Sequence, residues 1–427
     1  MPEPLNELTA AEAARRIARG QLTSEALVAA YLARIAARER EVHAWAHLDA
    51  DRALAQARAL DRESPRSPLH GIPFGIKDVI DTADMPTEYN SPIYRGHQPT
   101  WDAACVAQLR RAGCVVLGKT VTTEFANNHP SQTCNPRNLA HTPGGSSSGS
   151  AASVADHMVA LALGTQTGGS TIRPAAYCGV VGYKPSFNTI NRAGLKFVAE
   201  SLDTIGILAR SAEDAALGLH VLSGRAVPDL TERSTGTARV GMCRTPRWND
   251  ADAASHAAIE RAASRLAATG ARIVDFELPA GSARLFDDQE KIMGYEAARA
   301  LAWEYQNHRG KISDSLLARL DAGWQLPRAA YDAARVLARE CRRALADQMR
   351  DYDFLLTPSA PGEAPHGFTT TGSSVFNRVW TLFGVPCVTL PCESGPRGLP
   401  LGVQLVGGFD TDVELLAWAH WTEQQIR

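Results

Sequence analysis

Long apolar runs are missing from this sequence. None of its 427 residues belongs to an apolar stretch of about 18 or more, the length that a membrane-spanning helix needs. The N-terminal MPEPLNELTAAEAARR also lacks the basic start and the apolar stretch of a signal peptide. These absences exclude a membrane-spanning helix and predict a cytoplasmic protein.

An excess of charge of either sign is missing as well. Lys and Arg number 44 against 46 Asp and Glu, which gives a net charge of −2. Nucleic acids and anionic membranes bind a concentrated basic face, and this balance gives no reason to expect one. We therefore expect a small-molecule substrate, no nucleic acid and no membrane as partners.

Metal-binding and disulfide spacings are also missing. The eight cysteines are scattered without a CxxC pair, and no HExxH motif occurs. Zinc sites and disulfide frameworks depend on such spacings, whereas an isolated cysteine behaves as a small apolar residue. We expect buried free thiols, no metal ion and no organic cofactor.

What the sequence does contain is an alternation of helix and strand patterns. Apolar runs bounded by turns at 72–80, 114–118 and 158–164 predict buried strands, and DAACVAQLRRAG between the first two predicts a helix. Thr9 and Glu12 have the spacing of a capping box, which predicts the start of a helix. The fold class is therefore α/β, with one continuous sheet covered by helices.

The chain shows no internal repeat and no charged linker, so we expect a single domain over residues 1–427. Its expected parts are a helical N-terminal wrapping over about 1–65, a catalytic core over about 66–225 and 351–427, and a helical insertion over about 280–350.

Two glycine-rich turns flank the predicted strand at 158–164. They are HTPGGSSSGSAAS at 141–153 and GTQTGGSTIRP at 164–174. Glycine lets the backbone turn sharply and brings N–H groups close to a ligand. A flexible linker would instead be followed by another domain. The two turns therefore indicate a ligand site.

Two enzyme motifs fit these turns poorly. Residues 145–149 formally match the GxSxG elbow of α/β-hydrolases, but that motif follows a strand, and NPRNLAHTPG has no strand pattern. The turn GTQTGGST has the glycines of a phosphate loop, but no Lys follows the last glycine.

A third pattern fits in order and in spacing. Lys77 in GIPFGIKD, then GGSSSGSAAS, then GTQTGGSTIRPAAYCG resemble the amidase signature family of serine hydrolases, with 69 residues from Lys77 to Ser146 and 24 from Ser146 to Ser170. The resemblance extends from LTSEALVAAYLARI to LPLGVQLVGG, which is nearly the whole chain. It implies the amidase signature fold, a large mixed central β-sheet covered by helices on both faces.

The resemblance implies a role for each matching residue. Ser170 would be the nucleophile, Ser146 a bridging serine on a cis peptide bond, and Lys77 the base. A Lys can act as a base where burial favours its neutral form, and Lys77 lies in an apolar run. Thr165 would support the bridging serine. The oxyanion would be bound by the backbone N–H groups of Thr167, Gly168, Gly169 and Ser170.

Within the family the chain resembles the malonamidase branch, which cleaves small amides that carry a carboxylate. Gln166 replaces the usual Asp of GTDTGGSIR, and one residue is inserted after Ser170. MPTEYNSPIYRG, ALAWEY and FNRVWTLFGVPC are also similar to that branch. The branch implies that Arg173 binds the substrate carboxylate. The alternative for Arg173 is a structural pair with a buried Asp or Glu.

The sequence therefore predicts an amidase that cleaves the C–N bond of a small, malonamate-like amide through an acyl-enzyme, as a homodimer. Three alternatives remain: an amidase for neutral aliphatic or aryl amides, ureas or carbamates; a glutaminase-type subunit of an amidotransferase; and a non-catalytic binding protein of the same fold. Trp303, Asn377 and Trp380 cannot be placed relative to the pocket from the sequence.

Overall fold

The computed structural model describes residues 4–127, 129–227, 230 and 238–426. These residues form fourteen α-helices and eleven strands, named α1 to α14 and β1 to β11 in chain order. The helices are Ala10–Ala18, Ser24–Val42, Ala50–Leu60, Ala104–Arg111, Ser148–Ala155, Ile172–Cys178, Ala212–Ser223, Ala253–Ala268, Ser282–Ala300, Ala302–Asn307, Asp314–Gln325, Arg328–Gln348, Val375–Phe383 and Asp412–Ile426. The strands are Trp45–Leu48, Pro73–Lys77, Val115–Thr120, Leu161–Gln166, Val181–Lys184, Thr204–Ala209, Arg239–Met242, Arg272–Asp275, Phe354–Pro358, Cys387–Ser394 and Pro400–Val406.

All eleven strands belong to one sheet, in the order β1-β3-β2-β4-β6-β5-β10-β11-β9-β7-β8. Strand β2 runs parallel to β3 and β4, and β7 runs parallel to β8 and β9, whereas the remaining pairs are antiparallel. Every residue of β2, β3, β4 and β6 is buried. Because successive side chains of a strand point to opposite faces, both faces of the sheet are covered there. The predicted α/β fold with a large mixed sheet is confirmed.

The N-terminal helices form as their sequence indicates. Thr9 is the N-cap of α1, and its side chain accepts a hydrogen bond from the backbone N–H of Glu12. Leu27, Tyr31 and Ile35 make up the buried face of α2. The expectation that the N-terminal region is helical was wrong in one part. Strand β1 lies inside this region and pairs antiparallel with β3. A four-residue edge strand is fixed by its distant partner rather than by a pattern of its own.

Four helices, α9 to α12, occupy residues 282–348. Helix α9 packs against α11, α12 and α13. It thereby brings side chains from this region over the turn between β4 and α6, where the candidate site lies. The domain boundaries expected from the sequence remain a prediction.

All eight cysteines are free, and six of them are buried. In the described ranges, no helix combines the length and apolar character needed to cross a membrane. The same residues include no group of three or more His, Cys, Asp or Glu side chains arranged to bind a metal ion.

Candidate active site

Three segments meet near the carboxyl ends of the parallel strands β2 and β4. Lys77 is the last residue of β2, Ser146 lies just before α5, and Ser170 lies in the turn from β4 to α6. Ligand sites in α/β sheets lie at this end of the strands, where the loops to the helices converge. The fold therefore brings the three predicted catalytic residues to one place.

Lys77 is fully buried, and its amino group hydrogen-bonds to two hydroxyl oxygens. Its Nζ donates to Ser146 Oγ at 2.7 Å and to Thr165 Oγ1 at 2.6 Å. Burial holds the pKa of Lys77 well below its ordinary value, the charge of Asp203 partly opposes this shift, and that of Arg173 adds to it. A buried amine with a lowered pKa can be neutral and so can accept a proton.

A backbone hydrogen bond joins the segment that holds Ser146 to the residue Ser170. The peptide bond between Gly145 and Ser146 is cis. The next residue, Ser147, donates its N–H to the carbonyl of Ser170 at 3.3 Å. Ser146 is 2% exposed and Ser170 is 8% exposed, so Ser170 lies nearer to solvent. In the described part of the chain, the side chains of these two serines are not hydrogen-bonded to each other.

The turn at 167–170 is anchored by its carbonyl groups. Those of Thr167 and Gly168 each accept a side-chain hydrogen bond at 2.8 Å, from Gln289 Nε2 and from Thr381 Oγ1 respectively. The carbonyl of Gly169 accepts from the N–H of Arg173 at 2.9 Å. The N–H groups of Gly168, Gly169 and Ser170 donate to no acceptor in the described residues. They are therefore available to an anionic oxygen, as an oxyanion hole requires.

Glycine is required at position 169 on steric grounds. A Cβ atom there would lie 2.3 Å from Asn377 Oδ1 and 2.8 Å from Ser374 Cβ. Ser374 is the N-cap residue of α13, and Asn377 lies within that helix. The turn is thus packed closely against α13 at Gly169.

The comparison with protein families agrees with this geometry. The model of the Amidase family matches residues 26–416. The chain belongs to the amidase family. It is accordingly an enzyme, an amidase that hydrolyses amide C–N bonds.

Named relatives and solved structures span almost the full length of this amidase. The A subunit of the glutamyl-tRNA(Gln) amidotransferase of Chloroflexus aggregans is 35% identical, and the match covers 94% of this chain and 93% of that relative. The peptide amidase of Stenotrophomonas maltophilia superposes with a TM-score of 0.85 at 33% identity, over 99% of this chain and 98% of its own. A protein complex linked to the origins of an s-triazine catabolic enzyme gives a TM-score of 0.90 at 27% identity, over 98% of each chain.

Arg173 lies in α6, one turn after Ser170, and is 5% exposed. Its Nη1 donates to the carbonyl of Gly372 at 2.9 Å, and its Nη2 donates to the carbonyl of Gly145 and to Thr371 Oγ1. Its Nε is buried and has no hydrogen-bond partner among the described residues. Burial lowers the pKa of Arg173 to about 10. The alternative of a structural pair with a buried Asp or Glu is not seen, since within the described residues no carboxylate forms an ion pair with it.

Gln166 is the residue at which this chain departs from the common family pattern. Its Oε1 accepts the N–H groups of Thr171 and Ile172, at 2.9 and 3.0 Å, and so caps the start of α6. Its Nε2 donates to Thr381 Oγ1 at 3.0 Å. The neutral amide therefore connects α6 and α13 at the turn over 167–170.

The sequence reasoning missed three residues around the turn: Asp203, Gln289 and Thr381. Thr167 Oγ1 donates to Asp203, whose other carboxylate oxygen accepts the N–H groups of Val198 and Ala199. Burial raises the pKa of Asp203 to about 6. Asp203 and Gln289 lie outside the stretches that resemble the family, and Thr381 lies within FNRVWTLFGVPC, where nothing in the local sequence marks its hydroxyl as a partner of the distant turn.

The three residues left unplaced by the sequence have different positions. Asn377 is fully buried behind Gly169, and its Nδ2 donates to the carbonyl of Ser359 at 3.0 Å. Trp380 is fully buried in α13. Trp303 is 53% exposed and has edge-to-face contact with His308. Asn377 therefore supports the turn at 167–170, whereas Trp303 lies at the surface.

Proposed function

We propose that this amidase hydrolyses a small amide that carries a carboxylate, of the malonamate type. In this proposal Ser170 is the nucleophile, Ser146 relays protons and Lys77 is the base. The products are ammonia or an amine and the corresponding acid. The assignment to the malonamidase branch is part of the proposal.

Proton transfer would follow the hydrogen bond between Lys77 and Ser146. The neutral amine of Lys77 takes the proton of Ser146 across 2.7 Å, and Ser146 takes that of Ser170 as its oxygen attacks the carbonyl carbon. The relay then runs in reverse and delivers the proton to the leaving nitrogen, which breaks the C–N bond. Water attacks the acyl-enzyme by the same route and releases the acid.

The negative charge on the carbonyl oxygen would be stabilised by the free N–H groups of Gly168, Gly169 and Ser170, together with that of Thr167. Removing one such donor typically costs about 3 kcal/mol of transition-state stabilisation. The carbonyl anchors from Gln289 and Thr381 support this role, because they fix the turn before the substrate arrives.

One observation supports the carboxylate preference: a buried guanidinium close to Ser146 has no carboxylate partner in the described part of the chain. Arg173 hydrogen-bonds to the carbonyl of Gly145, the residue before Ser146, and its Nε donor is unused. An unpaired buried charge is costly, and a substrate carboxylate would neutralise it with charge-assisted hydrogen bonds.

A second candidate follows from the named relatives, which include an amidotransferase component. The chain would then release ammonia from glutamine, at the same serine, for use by a partner protein. The candidate would be excluded if the purified single chain hydrolysed malonamate rapidly and hydrolysed glutamine no faster than malonamate. Glutamine turnover that exceeds malonamate turnover would support it.

The test of the carboxylate preference compares malonamate with malonamide, which has a neutral amide of similar size in place of the carboxylate. Charge-assisted hydrogen bonds contribute about 1.5–3 kcal/mol, so Arg173→Ala should lower kcat/KM for malonamate by about 10- to 150-fold. The loss on malonamide should be much smaller. Arg173→Lys should restore part of the preference, since it keeps the charge but loses the planar fork.

Arg137→Ala is the matched control. Arg137 is exposed, and its Nε donates to the carbonyl of Cys178 at the far end of α6 at 3.1 Å. This control should leave the ratio of the two substrates unchanged. Equal losses on malonamate and malonamide in Arg173→Ala, with a lowered Tm, would show that Arg173 is structural and would refute the proposed substrate class.

A further inference from the structure

A large cavity lies apart from the catalytic residues. Its volume is about 1060 Å³, and its walls come from the segment 187–202, from α9 and from α12, with Leu382 of α13. None of Lys77, Ser146 and Ser170 lines it. We call it the arginine cavity, after the six arginines in its walls: Arg192, Arg299, Arg328, Arg335, Arg339 and Arg342.

Most of the cationic side chains in the arginine cavity form no ion pair with the described residues. Of its cations, Lys196 pairs with Glu304 and Arg328 pairs with Asp332. The other five arginines form no ion pair with a carboxylate of the described residues. Arg192, for example, donates to the carbonyls of Glu200 and Asp203, and Arg342 to that of Leu382.

The two carboxylates in the walls compensate only part of this charge. They belong to Glu200 and Glu296. Glu296 accepts hydrogen bonds from neutral donors, the N–H and hydroxyl of Ser201 and the hydroxyl of Tyr331. The carboxylates of Asp203, Glu200 and Glu296 act on Arg192 through their charge, without an ion pair within the described residues. The excess of positive charge in the cavity is therefore local, although the whole chain has a net charge of −2.

The densest part of this charge is on α12. Arg335, Arg339 and Arg342 are spaced four and three residues apart, so they lie on one face of the helix. The Nε of Arg342 is also buried, and no described residue accepts a hydrogen bond from it. Burial and the charges of Arg335 and Arg339 lower the pKa of Arg342, and no carboxylate of the described residues offsets them. Like charges so placed are destabilising unless an anion lies between them.

We propose that the arginine cavity binds a small molecule with a multivalent phosphoryl group. Planar guanidinium groups bind phosphate oxygens in pairs, and several of them converging on one concave site suit a group with more than one negative charge. The volume is sufficient for a small metabolite. The cavity is concave and local, rather than an extended basic stripe, which favours a small ligand over a nucleic acid.

The test measures binding of inorganic pyrophosphate to the full chain by calorimetry, at constant ionic strength. Arg339→Gln is the informative variant, because Arg339 has no hydrogen-bond partner in the described residues and lies outside the catalytic site. Arg343→Gln is the control, since Arg343 is exposed on the same helix but does not line the cavity. Arg192 is avoided because it bonds to the carbonyl of Asp203.

We expect pyrophosphate to bind the parent enzyme, Arg339→Gln to weaken binding by about 10-fold or more, and Arg343→Gln to weaken it less than about 2-fold. Without ligand, Arg339→Gln should not lower the Tm, since it removes a repulsive charge. Amide hydrolysis should be unchanged, which separates this test from that of the proposed substrate.

Three results would overturn the proposal. The first is no binding of pyrophosphate by the parent enzyme. The second is an equal loss of affinity in Arg339→Gln and Arg343→Gln, which would indicate a general field rather than a site. The third is that citrate or single-stranded RNA binds to the cavity and that added pyrophosphate does not displace it.

Discussion

Thr381 is the residue whose hydroxyl links the turn at 167–170 to α13, and its replacement by Val tests how the proposed oxyanion hole is fixed. Thr381 Oγ1 accepts a hydrogen bond from Gln166 Nε2 at 3.0 Å and donates to the carbonyl of Gly168 at 2.8 Å. The residue is 2% exposed, so water cannot replace either bond. Val has nearly the same shape and removes the hydroxyl alone.

The expected cost follows from the two groups that lose their partner. A buried polar group without a hydrogen bond costs about 1–3 kcal/mol. Two such groups cost about 2–6 kcal/mol, and for 427 residues an unfolding entropy of about 2.1 cal/mol/K per residue converts this into a fall in Tm of about 2–7 °C. Loosening the Gly168 carbonyl also misplaces the neighbouring N–H donors, which should lower kcat by about 10- to 100-fold.

The assay compares kcat, KM and Tm of Thr381→Val with those of Thr422→Val. Thr422 is also buried, in α14, but its hydroxyl has no hydrogen-bond partner in the described residues. The same substitution there should leave Tm and kcat unchanged or slightly raise Tm. For Thr381→Val the loss should be in kcat, with little change in KM, because the oxyanion forms in the transition state.

Wild-type kcat in Thr381→Val would refute the argument that anchored carbonyls pre-organise the oxyanion hole. A fall in Tm equal to that of Thr422→Val would refute the claim that the Thr381 hydroxyl stabilises the turn. A rise in KM with unchanged kcat would assign Thr381 to substrate binding instead.

Three further predictions concern the proposed catalytic residues. Ser170→Ala should abolish turnover and labelling by phosphonyl fluorides and should leave the Tm unchanged. Turnover by this variant at the wild-type rate would contradict the role of Ser170 as nucleophile. Because the pKa of Lys77 is lowered, activity should be full above that pKa and should decline as the pH falls through it and the amine is protonated. Lys77→Arg should be inactive, since a guanidinium does not lose its proton near neutral pH, and an active variant would contradict the general-base role.

The sequence by itself determined the fold class and the relative order of the site residues. Apolar runs at 72–80, 114–118 and 158–164 became β2, β3 and β4, since a strand buried on both faces needs apolar residues throughout. The capping box at Thr9 marked the start of α1, because capping is a local interaction. The spacing of the Gly/Ser turns indicated the family, which the comparisons confirm.

The tertiary structure alone decided what fixes the site. Gln289 and Thr381 reach the turn from positions 122 and 213 residues away along the chain, and no local pattern encodes such contacts. The edge strand β1 was missed for the same reason, since its hydrogen bonds go to the distant β3. Whether Arg173 had a carboxylate partner, and which side chains converge on the arginine cavity, depended on how α6, α9 and α12 pack. The sequence shows which residues are charged, but only the folded structure shows which neighbours neutralise each charge.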